Sequence, residues 1–268
     1  RFGNIYYTKK GTGSPILLIH DTLPGASGYE WSKIEDELAI DHTVYTVDLL
    51  GCGRSDKSSI TYTNFVYVQM ISDFIKKIIG QKTDVIASGF SGSFVTMACH
   101  NEKELFNKIM LVNPPSLTQL KQMPNRKDRL LKAALEIPIF GTLVYHMIVS
   151  RDNINNLFIE KMYYNPFHVD NQMADAYYEA AHKGGYYTRF LYSSLAAKYI
   201  NINICHALKA LDNSIYIVEG ETEPNGKAVT DDYCASNPAI EVSVLKETKH
   251  LPHVEAPEAF LEQVKIFF

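Results

Sequence analysis

The chain has 268 residues, of which 46% are hydrophobic and 21% charged, and its formal net charge is -4. This is the composition of an ordinary globular protein, and a negative charge without any basic cluster gives no indication of nucleic-acid binding. No apolar run is long enough to predict a membrane span. Because the sequence begins at Arg1 rather than at a methionine, we expect any signal peptide or anchor to lie upstream, so the compartment stays open.

Apolar strand patterns alternate with helical patterns along the chain. Predicted strands lie in NIYYTKK, SPILLIH, HTVYTVDLL, TDVIAS, NKIMLVN, SIYIVEG and IEVSVLK. Predicted helices lie in YEWSKIEDELAI, TNFVYVQMISDFIKKIIG, GSFVTMACH and the segment that begins near Pro257. This alternation predicts an α/β fold with a mostly parallel central sheet and helices on both of its faces.

Residues 114–213 interrupt the alternation, because they contain helical patterns but no clear buried strand. A structureless loop of this length is improbable. We therefore predict a core formed by residues 1–113 and 214–268, and a helical lid formed by residues 114–213 over the edge of the sheet where ligands bind. The lid is rich in tyrosine, which suits an apolar pocket with scattered hydroxyl groups, and Tyr187 is our candidate lid residue in that pocket.

The cysteines give no indication of a metal site or a disulfide framework. Cys52, Cys99, Cys205 and Cys234 lie far apart and form no C-x-x-C pair, so we interpret them as separate, mostly buried thiols. No cluster of histidine and cysteine has the spacing of metal ligands. We expect neither a metal nor another cofactor.

The segment DVIASGFSGSF places serines among small residues where a strand passes into a helix. Residues 89–93, GFSGS, fit a small-x-Ser-x-small turn that strains the backbone and projects the central hydroxyl near the helix N-terminus. We predict Ser91 as a nucleophile, and we expect Asp21, Leu23 and Phe90 to contact the substrate. The alternative is that Ser88, Ser91 and Ser93 serve only turn and capping roles.

Together with this turn, four further segments resemble those of the α/β-hydrolase family. SPILLIHDTLPGAS is similar to the family's strand that ends in His-Gly, and VYTVDLLGCGRSD to its Asp-x-x-Gly-x-Gly-x-Ser signature. VEGETEP is similar to the strand and acid loop that follow the lid, and KHLPHVEAPEAF to the catalytic-histidine segment. The resemblance covers nearly the whole chain and implies a lidded serine hydrolase, but it is weakly specific for the substrate.

The resemblance implies a catalytic triad in the order serine, acid, histidine. His250 occupies the position of the base, ahead of the Glu-x-Pro that opens the last helix, and His253 is the alternative. Glu223 occupies the acid position, counted from Gly220 in the family's Gly-x-x-Asp loop. Glutamate is one carbon longer than aspartate but can hold the same imidazole tautomer. If the loop is shifted, the alternative acids are Glu221, Asp231 and Asp232.

An oxyanion hole needs two backbone donors. We expect one from Gly92, directly after the predicted nucleophile, and the other from Thr22, with Leu23 as the next candidate. The family's His-Gly is here His20-Asp21, which is the largest departure from the pattern. Asp21 either places a carboxylate near the site, where it would oppose a developing oxyanion, or turns outward to make a local turn bond.

The predicted reaction is the hydrolysis of a small to medium neutral ester or a related acyl bond. His250 would deprotonate Ser91, which would form an acyl-enzyme that water then cleaves, while Glu223 holds the imidazole. A carbon–carbon hydrolase, an aminopeptidase or a lyase on the same fold remains open, and so does a non-catalytic small-molecule receptor. A dehalogenase is disfavoured because it needs an aspartate at the position of Ser91. The expected partner is a small-molecule substrate, and the oligomeric state stays open.

Overall fold

A computed structural model describes residues 2–268, and Arg1, on which the expectation of upstream sequence rests, lies outside the described residues. Within them, one sheet has the strand order β1-β3-β2-β4-β5-β6-β7. β1 runs antiparallel to β3, and the other neighbours are parallel, which confirms the predicted mostly parallel sheet. The strands are β1 (Tyr7–Lys10), β2 (Ser14–Ile19), β3 (His42–Val47), β4 (Thr83–Ser88), β5 (Phe106–Val112), β6 (Ile215–Gly220) and β7 (Glu241–Leu245).

Helices follow most of the strands, as the alternation predicts. α2 and α7 each continue as a turn of π-helix, over Ile75–Ile79 and Phe158–Met162. The helices are α1 (Glu35–Leu38), α2 (Asn64–Phe74), α3 (Ser91–Asn101), α4 (Leu117–Leu120), α5 (Arg126–Glu136), α6 (Pro138–Ile148), α7 (Arg151–Leu157), α8 (Asn171–His182), α9 (Thr188–Ala196), α10 (Cys205–Ala210), α11 (Gly226–Ser236), α12 (Pro252–Glu255) and α13 (Pro257–Phe267).

Two apolar clusters cover the two faces of the sheet. Successive side chains of a strand point to opposite faces. In β2, Leu17 and Ile19 therefore join one cluster, while Ile16 and Leu18 join the other, and all four are fully buried. The first cluster continues into α2 and α3 and the second into α13, so both faces are covered by helices, as predicted.

The segment YEWSKIEDELAI differs from the single amphipathic helix that its sequence predicts. A 3-10 turn over Gly28–Trp31 precedes the short α1. Glu30 is fully buried, with its Oε1 3.2 Å from Nε2 of His253. Trp31 stacks on the same imidazole, with ring centroids 4.3 Å apart. These tertiary contacts fix the first turn separately and outweigh helix propensity.

Residues 114–213, called the insertion below, hold helices α4 to α10 and no described strand. The sequence predicts helices in RKDRLLKAALEI, INNLFIEKMYY, NQMADAYYEAAHK and YTRFLYSSLAAKYI, and these correspond to α5, α7, α8 and α9. It named no helix at α4, α6 or α10. α5 begins with a capping box, in which Asn125 and Asp128 each accept a bond from the other's backbone N–H. α10 lies within the insertion but packs against α3 and α11 of the core.

The parallel order brings the carboxyl ends of β2, β4, β5 and β6 to one edge of the sheet. Ligands of open parallel sheets bind at such an edge. The loops that follow these strands carry Asp21, Gly89, Asn113 and Glu223. The topology therefore gathers polar groups from four separate parts of the sequence.

Candidate active site

A cavity of about 510 Å³ lies at this edge of the sheet. Its lining includes Asp21, Leu23 and Phe90, three of the four residues predicted to contact a substrate. The fourth, Tyr187, is absent from the described lining and packs on Tyr186, with ring centroids 4.1 Å apart. The insertion contributes Leu157 and Met162 among other residues, but none of its described tyrosines.

The structure brings His250 and Glu223 together at the cavity. The imidazole Nδ1 of His250 lies 3.3 Å from Oε1 of Glu223, and both side chains line the cavity. Among the alternative acids, Glu221 instead accepts a bond from the backbone N–H of Glu247 at 3.0 Å. Asp231 and Asp232 are exposed on α11 and do not belong to the described lining.

His253, the alternative base, lies in the protein interior. Its side chain is fully buried between Trp31 and Phe260, and its nearest carboxylate is Glu30. His250, by contrast, is partly exposed and lines the cavity. Only His250 of these two can therefore meet a small molecule.

Asn113 holds the loop that carries His250. Its Nδ2 donates to the carbonyl oxygens of Lys249 and His250 at 2.8 and 2.9 Å, and its Oδ1 accepts from Gly220 N–H at 2.9 Å. Asn113 has a φ of 43°, in the left-handed region that asparagine tolerates better than most residues. One amide side chain thus links the end of β5 to the end of β6 and to the histidine loop.

The structure does not bring Ser91 to His250. The Ser91 hydroxyl is fully buried, donates to the backbone carbonyl of His20 and lies outside the described lining. The amide of Gly92, the other predicted site group on this turn, donates to Gly89 O at 3.2 Å. The reason is that β4 ends at Ser88, so the sharp turn falls at Gly89, with a φ of 54°, two residues before the predicted nucleophile.

The group that faces His250 is the Asp21 carboxylate. Its Oδ2 lies 3.4 Å from the imidazole Nε2, on the opposite side of the ring from Glu223. Its Oδ1 accepts from Thr22 N–H at 2.6 Å and from Phe90 N–H at 2.8 Å. Two amides that converge in this way, one of them directly after the turn, form the arrangement of an oxyanion hole. The anion that they bind is the chain's own carboxylate, so the inward position considered for Asp21 is the one observed.

Gly89 leaves room for that carboxylate. A Cβ atom on Gly89 would lie 2.2 Å from Cγ of Asp21, far inside van der Waals contact. The Asp21 side chain therefore occupies the space into which a side chain at position 89 would project. A non-glycine residue would also meet the cost of the left-handed backbone there.

Two carboxylates make His250 a cation. Burial opposes a charge on the ring, but hydrogen bonds to Asp21 and Glu223 outweigh it and raise the pKa of His250 to about 10. At neutral pH the imidazole is therefore protonated. It lies between two acids as a proton donor rather than as a free base.

Glu219 is a site residue that the sequence analysis missed. It ends β6 next to Gly220, is buried and lines the cavity. Burial raises the pKa of its carboxyl, and the nearby charge of Glu223 adds to that effect. A lone acid in the otherwise apolar strand run IYIVEG was the available signal, because buried acids need a reason to be there.

Residues 16–263 match the model of the Alpha/beta hydrolase family. The chain belongs to this family. This chain is similar to the 2-hydroxy-6-oxo-6-(2'-aminophenyl)hexa-2,4-dienoic acid hydrolase of Metapseudomonas resinovorans. The two are 29% identical over 113 residues, which are 41% of this chain and 39% of that protein. The sequence match thus spans about two fifths of the length of the curated relative.

Solved structures share the fold of this chain over nearly its whole length. A meta-cleavage product hydrolase from Pseudomonas fluorescens has a TM-score of 0.78 at 19% identity, with 99% of this chain and 94% of that chain covered. An epoxide hydrolase has a TM-score of 0.80 at 16% identity, with 99% and 95% covered. At these identities the likeness shows the fold and leaves the reaction to the site.

We predict that Asn113→Asp lowers the free energy of unfolding of this protein by about 2–4 kcal/mol. The reason is that a carboxylate cannot donate to the carbonyl oxygens of Lys249 and His250 and leaves them unpaired. Urea unfolding measures the change. Asn203→Asp is the matched control, since Asn203 only accepts a bond from Cys205 N–H, which aspartate also accepts. Equal stability of the two variants would contradict the role of Asn113 as a donor.

We predict that the His250 ring titrates near pH 10 in NMR spectra and that Asp21→Asn moves the midpoint toward 6.5. Since folding raises this pKa, the stability that the charged ring contributes is complete below pH 6.5 and is lost as the pH rises through about 10. The free-energy difference between the wild type and His250→Gln, measured across this range, follows the loss. A midpoint near 6.5 in the wild type would contradict the ion pair.

Proposed function

We propose that this protein hydrolyses a small, uncharged, partly apolar molecule and that the Asp21 carboxylate is the group that attacks it. The observation that carries the proposal is the contact set of this side chain. One oxygen accepts from Thr22 and Phe90, and the other faces His250 at the cavity. The two amides hold Oδ1 in place, while Oδ2 is free to attack a substrate and has the proton donor His250 beside it. This arrangement suits a carboxylate that forms a covalent intermediate.

The same contacts argue for a saturated carbon as the electrophile. Attack on an ester carbonyl would create an oxyanion, but the two amides that could stabilise it already donate to Asp21 Oδ1. Attack on a saturated carbon places no negative charge on a carbonyl oxygen, so it needs neither of these amides, and it gives a simple ester of Asp21. Because His250 is protonated, the leaving group should be one that takes up a proton, as the oxygen of a strained cyclic ether does.

In the first step, Asp21 Oδ2 bonds to the saturated carbon and the bond from that carbon to the ring oxygen breaks. The released oxygen takes the proton from His250 Nε2. Glu223, on the other ring nitrogen, keeps the imidazole oriented while its charge changes. The product of this step is a hydroxyalkyl ester of Asp21 beside a neutral imidazole.

In the second step, neutral His250 takes a proton from water, and the water oxygen attacks Cγ of Asp21. The negative charge then develops on Oδ1, between the amides of Thr22 and Phe90. The ester bond breaks, the alcohol leaves with the proton from His250, and the proton of the new carboxyl returns to the imidazole. The sum is the addition of one water molecule to the cyclic ether, which gives a diol.

The cavity supports a neutral substrate. Its apolar lining residues include Leu23, Phe90, Leu157 and Met162. Its charged lining residues are the acids Asp21, Glu160, Glu219 and Glu223 and the cations Lys161, Lys249 and His250, so acids and bases largely balance. Apolar residues with balanced polar groups favour an uncharged, partly apolar substrate.

Hydrolysis of an ester through Ser91, the reaction predicted from the sequence, has less support. The Ser91 hydroxyl would have to leave its bond to His20 O, and Asp21 would have to leave the amides. A second candidate has a specific observation in its favour. The Asp21–His250 ion pair occupies both reactive groups at rest, which suits a non-catalytic protein that only binds a small molecule.

We predict that a single turnover of an epoxide in ¹⁸O-water gives unlabelled diol and places ¹⁸O in the peptide that contains Asp21. The reason is that water attacks Cγ of Asp21 rather than the substrate. Asp21→Asn should lower kcat by about 10³-fold or more, while Ser91→Ala should retain turnover. Mass spectrometry of the diol and of the peptide locates the ¹⁸O, and steady-state assays of diol formation measure kcat.

Three results, from the ¹⁸O labelling, from an ester assay and from a binding assay, would oppose the proposal. Labelled diol with an unlabelled peptide would show direct attack by water. Turnover of p-nitrophenyl esters that is lost in Ser91→Ala would favour the serine esterase. Tight binding of small apolar molecules without turnover of any epoxide or ester would favour the binding protein.

We predict that Asp21→Gly combined with Gly89→Ser creates a serine esterase in this fold. The first change frees the two amides, and the second places a hydroxyl at the left-handed turn beside His250. Gly89→Ser alone should be strongly destabilised, because its Cβ would meet the Asp21 carboxylate. A fluorophosphonate probe should label position 89 of the double variant. Asp21→Gly with Gly89→Ala is the matched control that should stay unlabelled.

If the double variant folds and is not labelled at position 89, a side chain at position 89 does not reach the space beside His250. Equal stability of Gly89→Ser and the double variant would contradict the close contact between Asp21 and position 89. Thermal unfolding of the wild type, Gly89→Ser, the double variant and its alanine control measures these stabilities.

A further inference from the structure

The exposed side of α6 carries a continuous apolar stripe. Ile139, Leu143 and Met147 recur every fourth residue and are 79, 66 and 64% exposed. Residues four apart lie on one face of a helix. The opposite side of α6 is packed, since Gly141 and Tyr145 are buried. The stripe is therefore the unburied side of a helix that is otherwise anchored in the insertion.

α5, which directly precedes α6, carries an exposed leucine beside two exposed cations. Leu130 is 74% exposed, and Arg126 and Lys127 lie on the same side of the helix, four and three residues before it. Ile137, at the junction of α5 and α6, is also exposed. We call the exposed sides of α5 and α6 the apolar–basic surface.

The acids of α5 do not neutralise this charge, because other lysines bind them. Asp128 pairs with Lys198 at 3.2 Å, and Glu136 pairs with Lys132 at 2.6 Å. Within residues 2–268, Arg126, Lys127 and Arg129 have no carboxylate partner within 4.0 Å. The free charges of the helix that borders the apolar stripe are therefore all positive.

We propose that the apolar–basic surface binds an anionic lipid bilayer. Apolar side chains beside free cations favour the boundary between lipid headgroups and acyl chains, because the chains take up the apolar groups and anionic headgroups attract the cations. No single described helix is long and apolar enough to span a membrane; α5 and α6 reach that length and apolarity only as a pair, and they meet at 96°. The proposal is that this bent pair lies along the bilayer surface, where the cations of α5 reach the headgroups. This inference is independent of the reaction proposed above.

Co-sedimentation of the full chain with lipid vesicles tests the inference. We expect binding to phosphatidylcholine vesicles that contain about 30% phosphatidylserine, and at least about tenfold weaker binding to pure phosphatidylcholine or in about 0.5 M salt. Ile139→Glu with Leu143→Glu should weaken binding at least about tenfold, because two charges then replace the apolar contact. Arg126→Glu with Lys127→Glu should remove the preference for phosphatidylserine.

Ile266→Glu is the matched control, because Ile266 is 73% exposed on α13, outside the surface. It should bind vesicles as the wild type does. Circular dichroism shows whether each variant is folded. Absence of wild-type binding to the anionic vesicles, or equal binding by the folded Ile139→Glu, Leu143→Glu variant, overturns the inference. A wild-type dimer that this variant dissociates also overturns it, since the surface would then be an interface between two copies.

Discussion

The active-site edge depends on one side chain, the carboxylate of Asp21. Its contacts with Thr22, Phe90 and His250 tie together the loop after β2, the turn after β4 and the loop after β7. Because the carboxylate fills the space next to Gly89, only glycine fits there. Asp21 and Gly89 are thus coupled. A side chain at position 89 would clash with the carboxylate, and without the carboxylate the amides of Thr22 and Phe90 would lose the oxygen to which they donate.

The fold was predictable because its strongest signals are local. Buried strands such as β2 and β5 appear as apolar runs, and their alternation with helices specifies a parallel sheet. The exceptions depend on contacts between distant residues. The helix predicted over YEWSKIEDELAI is divided because Glu30 is buried against His253, more than two hundred residues later. No periodicity in the segment itself contains that information.

The site was predictable only in part, for a geometric reason. His250 and Glu223 follow from the resemblance of their segments to the family's histidine segment and acid loop, and their side chains lie 3.3 Å apart at the cavity. Ser91 was predicted as the nucleophile because GFSGS fits a small-x-Ser-x-small turn, but the end of a strand is the least certain part of any sequence-based assignment. β4 ends at Ser88, so the turn falls at Gly89 instead. The substitution of Asp21 for glycine was the signal that the turn had changed.

The Asp21–His250 ion pair stabilises the site at rest and has a place in the proposed reaction. Removal of either residue would take the nearest opposite charge from the other, although Glu223 would still contact His250 and the amides of Thr22 and Phe90 would still contact Asp21. At 3.4 Å the ion pair also leaves no room for a water molecule between the two groups. In the proposed reaction, alkylation turns the Asp21 carboxylate into a neutral ester and takes the proton from His250. Both charges disappear in that one step, the attraction that closed the gap is lost, and water can enter where the second step needs it.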